Sequence, residues 1–554
     1  MHFVASMKRL VLFGALLIPA LQAQDSPGNT TRDGRLSPLL SNLGKMHRPV
    51  STKNAEAQRY FDQGLILIYG FNHGEAIRSF REAARLDPNL AMAYWGEALA
   101  TGPNINDAAA DAEREKTAYE AMQQALKLRA SASKVEQALI DALSKRFTNP
   151  AGENREARMK DYAEAMARVY KSFPRDPDVA VLYAGAVMDS MPWDYYENGR
   201  PKPAMIKPIR ALEKAIRQFP LHPGAHHYYI HAIEASADPD RAVRSADVLP
   251  SLVPGAGHLV HMPAHIYIRV GRYADASESN IRAIKADEDY ITQCRIQGIY
   301  PAVYYPHNVH FLTAVLAMEG RAADAIAAAR KSAEHTHAGM DQPGFAFPHL
   351  LAALPKLTYV RFGRWKEIEA EPEPQHSEFD KAMWRFARGM AFAATGRTAE
   401  GAKELEGVEA AAKSPELAAL KIFDLNPLAS LAAIAADVLA GELAAAKGDF
   451  DTAIGKLRSA VARDDNLLYS EPPDWPNPPR HNLGSVLLKA GRAKEAEAVY
   501  REDLQRHRNN GWSLAGLAKA LEAQGKAKEA TETRKTFEKS WKRADTKIDG
   551  SRMM

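Results

Sequence analysis

From residue 51 to residue 545 apolar positions recur with the 3.6-residue period of helices, in blocks rather than in one long stripe. The blocks are Ala-rich and punctuated at intervals by turn residues. The clearest block runs from Ala57 to Pro88 and carries Gly64, Ala76, Phe80 and Ala83. The phase recurs as Gly271-Arg272-Tyr273 with Ala276 and Ala283, Gly320 with Ala325, Gly448 with Ala453, Gly491 with Ala496, and Gly525 with Ala530. Ala242 to Ala276 and Ala496 to Ala530 are both intervals of 34 residues. The 49 residues between Ala276 and Ala325 imply an insertion around Tyr290–Tyr305, and the 43 between Ala453 and Ala496 leave room for the loop Glu471–Pro479. A fixed period near this length is the signature of stacked supersecondary units. The pattern predicts an all-α chain.

In that block the chain resembles the tetratricopeptide repeat, two antiparallel helices per 34 residues. Gly64, Ala76, Phe80, Ala83 and Pro88 match its eighth, twentieth, twenty-fourth, twenty-seventh and thirty-second places. The resemblance implies an α-solenoid: each hairpin has an apolar face that it cannot bury alone, so neighbours stack into a superhelix with a concave groove. It is strong over 57–100, 223–340 and 435–540 and degenerate over 104–222 and 341–434. The organisation expected is a signal peptide over 1–23, a flexible leader over 24–50, N-terminal repeats over 51–222, His-rich central repeats over 223–340, degenerate helical repeats over 341–434 and C-terminal repeats over 435–545.

Composition changes the picture at one place. Seven of the 18 histidines lie between residues 227 and 310, in the groups His227/His231, His258/His261/His265 and His307/His310. Spacings of three and four put the members of each group on one helix face. The resemblance implies that places 2, 5, 9, 12 and 13 of each first helix face the groove. Counted from Ala276, His258, His261 and His265 take places 2, 5 and 9; from Ala325, His307 and His310 take 2 and 5; from Ala242, His227, His231 and Glu234 take 5, 9 and 12. His481 takes place 5 when counted from Ala496. The seven clustered histidines are therefore the candidate metal ligands, with His231, His261, His265 and His310 first. Neutral imidazoles suit Cu, Fe or Zn. Which transition metal binds stays open, and so does a small polar ligand in its place.

Glu234 and Arg269, at places 12 and 13, are the candidate catalytic residues, orienting a water or an anionic substrate. If the chain is an enzyme, a metal-dependent hydrolase or oxidoreductase is the expected class. Trp95, His481 and Trp475 are expected to line the groove or a substrate pocket. The segments Met191–Tyr196, Tyr300–Pro306 and Glu471–Pro479, rich in aromatics and proline, either wall the pocket or cap the solenoid. Asn280 stands where the repeat favours an aromatic, a place for a polar contact. Pro263, inside Gly257–His265, either kinks that helix or begins it. Met262 after His261 removes the zincin pattern, whose general base is a glutamate at that point.

The remaining numbers bound the alternatives. Lys8 and Arg9 ahead of an apolar run from Leu10 to Leu21, closed by Ala20 and Ala23, fit a cleaved signal peptide and a periplasmic or secreted protein of exported bacterial type. A net charge of +4 over 554 residues argues against nucleic acid as a partner. No later uninterrupted run is long enough for a stable membrane span. Cys294 is the only cysteine, which excludes an intrachain disulfide and a thiolate-rich zinc site. The competing reading of the whole is an interaction scaffold binding a peptide or protein in the groove.

Overall fold

The computed structural model describes residues 31, 34–107, 111–148, 154–197, 199–294, 300–334, 336, 340 and 344–554, so the expected signal peptide lies outside the described residues. The chain is an α-solenoid. Its first half runs α1 (Ala55–Tyr69), α2 (His73–Leu86), α3 (Ala91–Thr101), α4 (Ala112–Leu128), α5 (Lys134–Leu143), α6 (Arg155–Ser172), α7 (Pro177–Asp189), α8 (Pro203–Gln218), α9 (Pro223–Ile233), α10 (Val243–Leu252), α11 (Gly257–His261), α12 (Pro263–Val270), α13 (Tyr273–Cys294), α14 (Tyr305–Glu319) and α15 (Ala322–Ala333). The second half continues with α16 (Phe347–Arg361), α17 (Trp365–Ala370), α18 (Glu378–Ala394), α19 (Thr398–Ala411), α20 (Pro415–Ala419), α21 (Leu428–Ala446), α22 (Phe450–Asp465), α23 (Pro479–Lys489), α24 (Ala493–Arg506), α25 (Gly511–Glu522) and α26 (Ala527–Ser540). The strands described are two antiparallel pairs of two residues, Tyr196–Glu197 with Arg200–Pro201 and Lys421–Ile422 with Asn426–Pro427.

Why these segments stack is visible at the glycines. A Cβ at Gly64 of α1 would come within 2.7 Å of the Phe80 ring, and one at Gly96 of α3 within 2.4 Å. Phe80, on α2, is therefore a wedge that two glycines admit, binding one hairpin to the next. Tyr500 on α24 repeats the device between Gly484 and Gly516, where a Cβ would lie 2.4 and 2.3 Å away. Turns between paired helices use left-handed glycines where the chain reverses, Gly271 after α12 (φ 75°) and Gly320 after α14 (φ 73°).

Two apolar cores run through the stack. One extends from Leu43 to Ala328 and takes in Phe362 and Trp512, and the second draws on residues from Ala329 to Ala530. The leader expected to be flexible is, over residues 34–50, laid against α1, α2 and α7: Ser37 Oγ donates to Glu75 (2.5 Å), the Leu40 N–H donates to Gln63 (2.8 Å), and Arg48 pairs with Asp176 and Asp178. Buried polar atoms on α1, α2 and α7 need these partners, and the segment supplies them. Helix α21 is long and apolar enough to cross a membrane; it is mostly buried between neighbouring helices and carries Asp437 and Glu442, so here it is a core helix of the solenoid.

Candidate metal centre

Helices α9, α11, α12 and α14 bring six of the seven histidines into one continuous chain of rings. Neighbouring ring centroids are 4.8 Å apart for His227 and His231, 4.9 Å for His227 and His258, 6.0 Å for His258 and His261, 4.7 Å for His261 and His265, and 4.9 Å for His261 and His307. The proline in their midst does both things open to it. Met262 stays in the right-handed helical region, and Pro263 occupies the first position of α12, so α11 and α12 form a broken but nearly continuous helix. That keeps His258, His261 and His265 turned to the same interior.

The start of α9 is fixed by a histidine outside the pattern. His222 caps it: its Nδ1 accepts from the Ala225 N–H (3.1 Å), and its Nε2 pairs with Asp178 (3.0 Å). Asp178 also accepts from Tyr69 Oη (2.6 Å) and Arg48 (2.8 Å). The leader, α1, α7 and α9 are thus tied together beneath the first two ligands.

Four of the six imidazoles have their outer nitrogen fixed. His227 Nδ1 donates to the Tyr69 carbonyl (2.5 Å) and His231 Nδ1 to Glu234 (2.7 Å). His261 Nδ1 donates to Asn280 Oδ1 (2.7 Å), whose own amide donates to the Ala276 carbonyl. His265 Nδ1 faces Glu234 at 2.6 Å and Glu471 at 3.1 Å. In a neutral ring with Nδ1 carrying the proton, Nε2 offers its lone pair inward. His227 Nε2 lies 3.1 Å from His258 Nε2, and His261 Nε2 lies 2.8 Å from His265 Nε2. Two nitrogens on one tetrahedral ion are roughly 3.3 Å apart, from metal–nitrogen bonds of about 2.0–2.1 Å. His231 Nε2 and His258 Nδ1 are buried without a protein partner.

The geometry yields three groups able to hold a metal ion, with donor atoms within 4.8 Å of one another: His227/His231/His258, His261/His265/His307 and Glu234/His265/Glu471. Burial holds His227, His258, His261 and His307 neutral, well below the usual histidine range, and neighbouring imidazoles add to it. His265 departs from them: burial pulls it down, but Glu234 and Glu471 outweigh that and push it up to about 10. Burial acts to raise Glu234, yet His265 and His231 bring it down to about 2. Without an ion His265 is therefore an imidazolium beside neutral imidazoles, and its Nε2 would become a ligand only where a divalent cation displaced the proton there.

Aromatic rings close the centre. Phe71 lies 4.7 Å from His227, 5.7 Å from His231 and 5.1 Å from His258, at a positive φ of 56° that side chains rarely adopt. Tyr304 lies 5.1 Å from His258 and Trp193 lies 5.5 Å from His231, so two of the three aromatic inserts wall the site. The third contributes Glu471. Sequence reasoning singled out its loop and Asn280 but assigned Glu471 no role and passed over Phe71. A bulky residue in the interhelix turn Gly70-Phe71-Asn72 was the available signal.

Six expected residues stand elsewhere or act otherwise. His310 is buried beside Phe347 (6.1 Å) with neither ring nitrogen bonded, and it lies outside all three groups. Trp95 is a core residue donating to the Leu139 carbonyl (3.3 Å). Trp475 is buried against Phe386 (5.6 Å). His481 belongs to a separate buried network with Asp503 (3.0 Å) and Arg361 (2.8 Å). Arg269 spends its guanidinium on the Glu234 and Ser236 carbonyls, holding the end of α9. Glu234 is fully buried with both oxygens engaged by histidines, so it positions ligands and does not face a substrate.

The fold defines the class: an all-α protein of stacked helix hairpins. Residues 57–90 match the sequence profile described as "Tetratricopeptide repeat". No curated protein matches it in sequence. Solved structures similar in architecture include a human IFIT1 dimer with a capped oligonucleotide, m7Gppp-AAAA (11% identity, 77% of this chain and 86% of that one, TM-score 0.32), and yeast Tom70 (11%, 87% and 90%, TM-score 0.28). A third is Naa15/Naa10 bound to HypK-THB (14%, 88% and 71%, TM-score 0.24).

Proposed function

We propose that this repeat protein binds transition-metal ions in its interior, through imidazoles of α9, α11, α12 and α14. The observation that carries the reading is the fixing of the outer nitrogens of His227, His231, His261 and His265, which turns their Nε2 lone pairs to common points. Cu, Fe and Zn suit such a set, since the ligands are neutral imidazole and no thiolate is near. Glu234 and Glu471 serve as outer partners that orient His231 and His265. Export belongs to the same proposal, on the basic and apolar pattern of residues 8–21.

A second reading, an interaction scaffold, is favoured by the repeat match at 57–90. Elemental analysis of protein purified without a His tag from chelator-free buffer separates the two. Near-stoichiometric metal in the wild type, lost in a His261→Ala/His265→Ala double variant, supports the metal reading. Metal that stays substoichiometric after reconstitution leaves the scaffold ahead.

A further inference from the structure

Resting on that reading, we infer that the centre is dinuclear: His227, His231 and His258 hold one ion, and His261, His265 and His307 hold a second. The two triads share no residue. Within each triad the two closest donor nitrogens are 3.1 or 2.8 Å apart, near the spacing that one ion imposes. Ring centroids are 4.7–5.9 Å apart within the triads and 6.0 Å apart for His258 and His261 and for His231 and His265 between them, and among the described residues no group of donor atoms within 4.8 Å combines histidines of both triads. Six imidazoles also exceed what one tetrahedral ion takes.

The link between the sites is Glu234. One oxygen accepts from His231 Nδ1 at 2.7 Å, and the other faces His265 Nδ1 at 2.6 Å. The two imidazoles belong to different triads, so one carboxylate sets the orientation and basicity of a ligand in each site. The third group, Glu234/His265/Glu471, shares its members with this link. Its carboxylates face His265 Nδ1, at 2.6 and 3.1 Å, and not the Nε2 that faces His261, which assigns the group to ligand positioning. Each triad supplies three ligands and leaves a fourth place open, the arrangement of sites that bind a water or an exogenous ligand at the metal.

Titration of the metal-free full-length protein with Co(II), followed by visible absorption and by elemental analysis after desalting, tests the assignment. Two equivalents per chain are expected, both with tetrahedral absorption. A His227→Ala/His258→Ala variant and a His261→Ala/His307→Ala variant should each retain one equivalent, with helical circular dichroism as the check on folding. Glu234→Gln should weaken both equivalents by 10–100-fold, the cost of removing an outer partner. Saturation of the wild type at one equivalent overturns the dinuclear assignment and leaves the proposed function standing, whereas no retained metal overturns both. Weakening of only one equivalent by Glu234→Gln overturns the shared link. The wild-type endpoint decides the number of ions even where a variant fails to fold.

Discussion

At the scale of the residue, the centre depends on groups that never touch an ion. Asp178 is the foremost. Burial acts to raise its carboxyl, but His222 and Arg48 outweigh that and hold it well below the usual carboxylate range. A depressed folded pKa contributes stability that is complete above the unfolded value, about pH 4, and is lost as pH falls toward the folded value. Asp178→Asn leaves Arg48 and His222 without their buried partner and should cost about 3 kcal/mol at pH 7 in urea unfolding. The difference from wild type should shrink below pH 4, because the wild type then loses the same charge. His310 is the opposite case. The repeat count placed it with His307, but it stands beside Phe347, and burial lowers its pKa to about 3. His310→Leu should leave metal stoichiometry unchanged and should not lower the melting temperature, since the imidazole it removes makes no hydrogen bond.

At the scale of the element, the hairpins and their phase were legible because small residues recur where helices must approach. Gly64, Gly96, Gly484 and Gly516 are the physical content of that phase, each pressed against an aromatic ring. The histidine faces were legible for the same reason: spacings of three and four survive the break at Met262–Pro263, since both sides of it stay helical. Trp95 was misplaced because α3 is only 11 residues long and turns its indole toward α5. The junction most sensitive to change is the start of α11. A Cβ at Gly257 would lie 1.8 Å from Asp287 Oδ1, a carboxyl that burial raises to about 7 while Tyr300 and Asn308 donate to it. Gly257→Ala must shift α11, and with it His258 and His261. It should reduce bound metal at both triads while circular dichroism stays near wild type. Retention of full metal content would show that α11 is not rigidly set by this contact.

At the scale of the whole molecule, what the sequence could not reveal is what returns from far along the chain. Glu471 reaches His265 across about 200 residues, and no local period announces such a meeting. The C-terminal segment after α26 is a second instance, because it follows the last helix while its contacts are those of a strap. The Trp541 ring sits on Gly320 and Gly511 and lies edge-on to Trp512 (5.3 Å). Asp545 accepts from the first amides of α15, Ala322 N (2.6 Å) and Ala323 N (2.9 Å). Further on, Ser551 Oγ donates to the His481 carbonyl (2.6 Å) and Arg552 pairs with Glu442 of α21. The segment from Trp541 to Arg552 thus joins α14 and α15 to α21, α23 and α25, fastening the first core to the second. Trp541→Ala removes a large packed ring and should cost about 3 kcal/mol. Because repeat proteins distribute stability among neighbouring units, the loss should be local. Hydrogen exchange should quicken in α23 to α25 and at the end of α14 while α9 and α11 keep their protection. Metal content should remain that of the wild type, since the strap contacts α14 only at its far end from His307. Loss of metal in Trp541→Ala, or exchange that rises evenly along the chain, would mean that the solenoid unfolds as one unit and that the centre is not sustained by its own repeats.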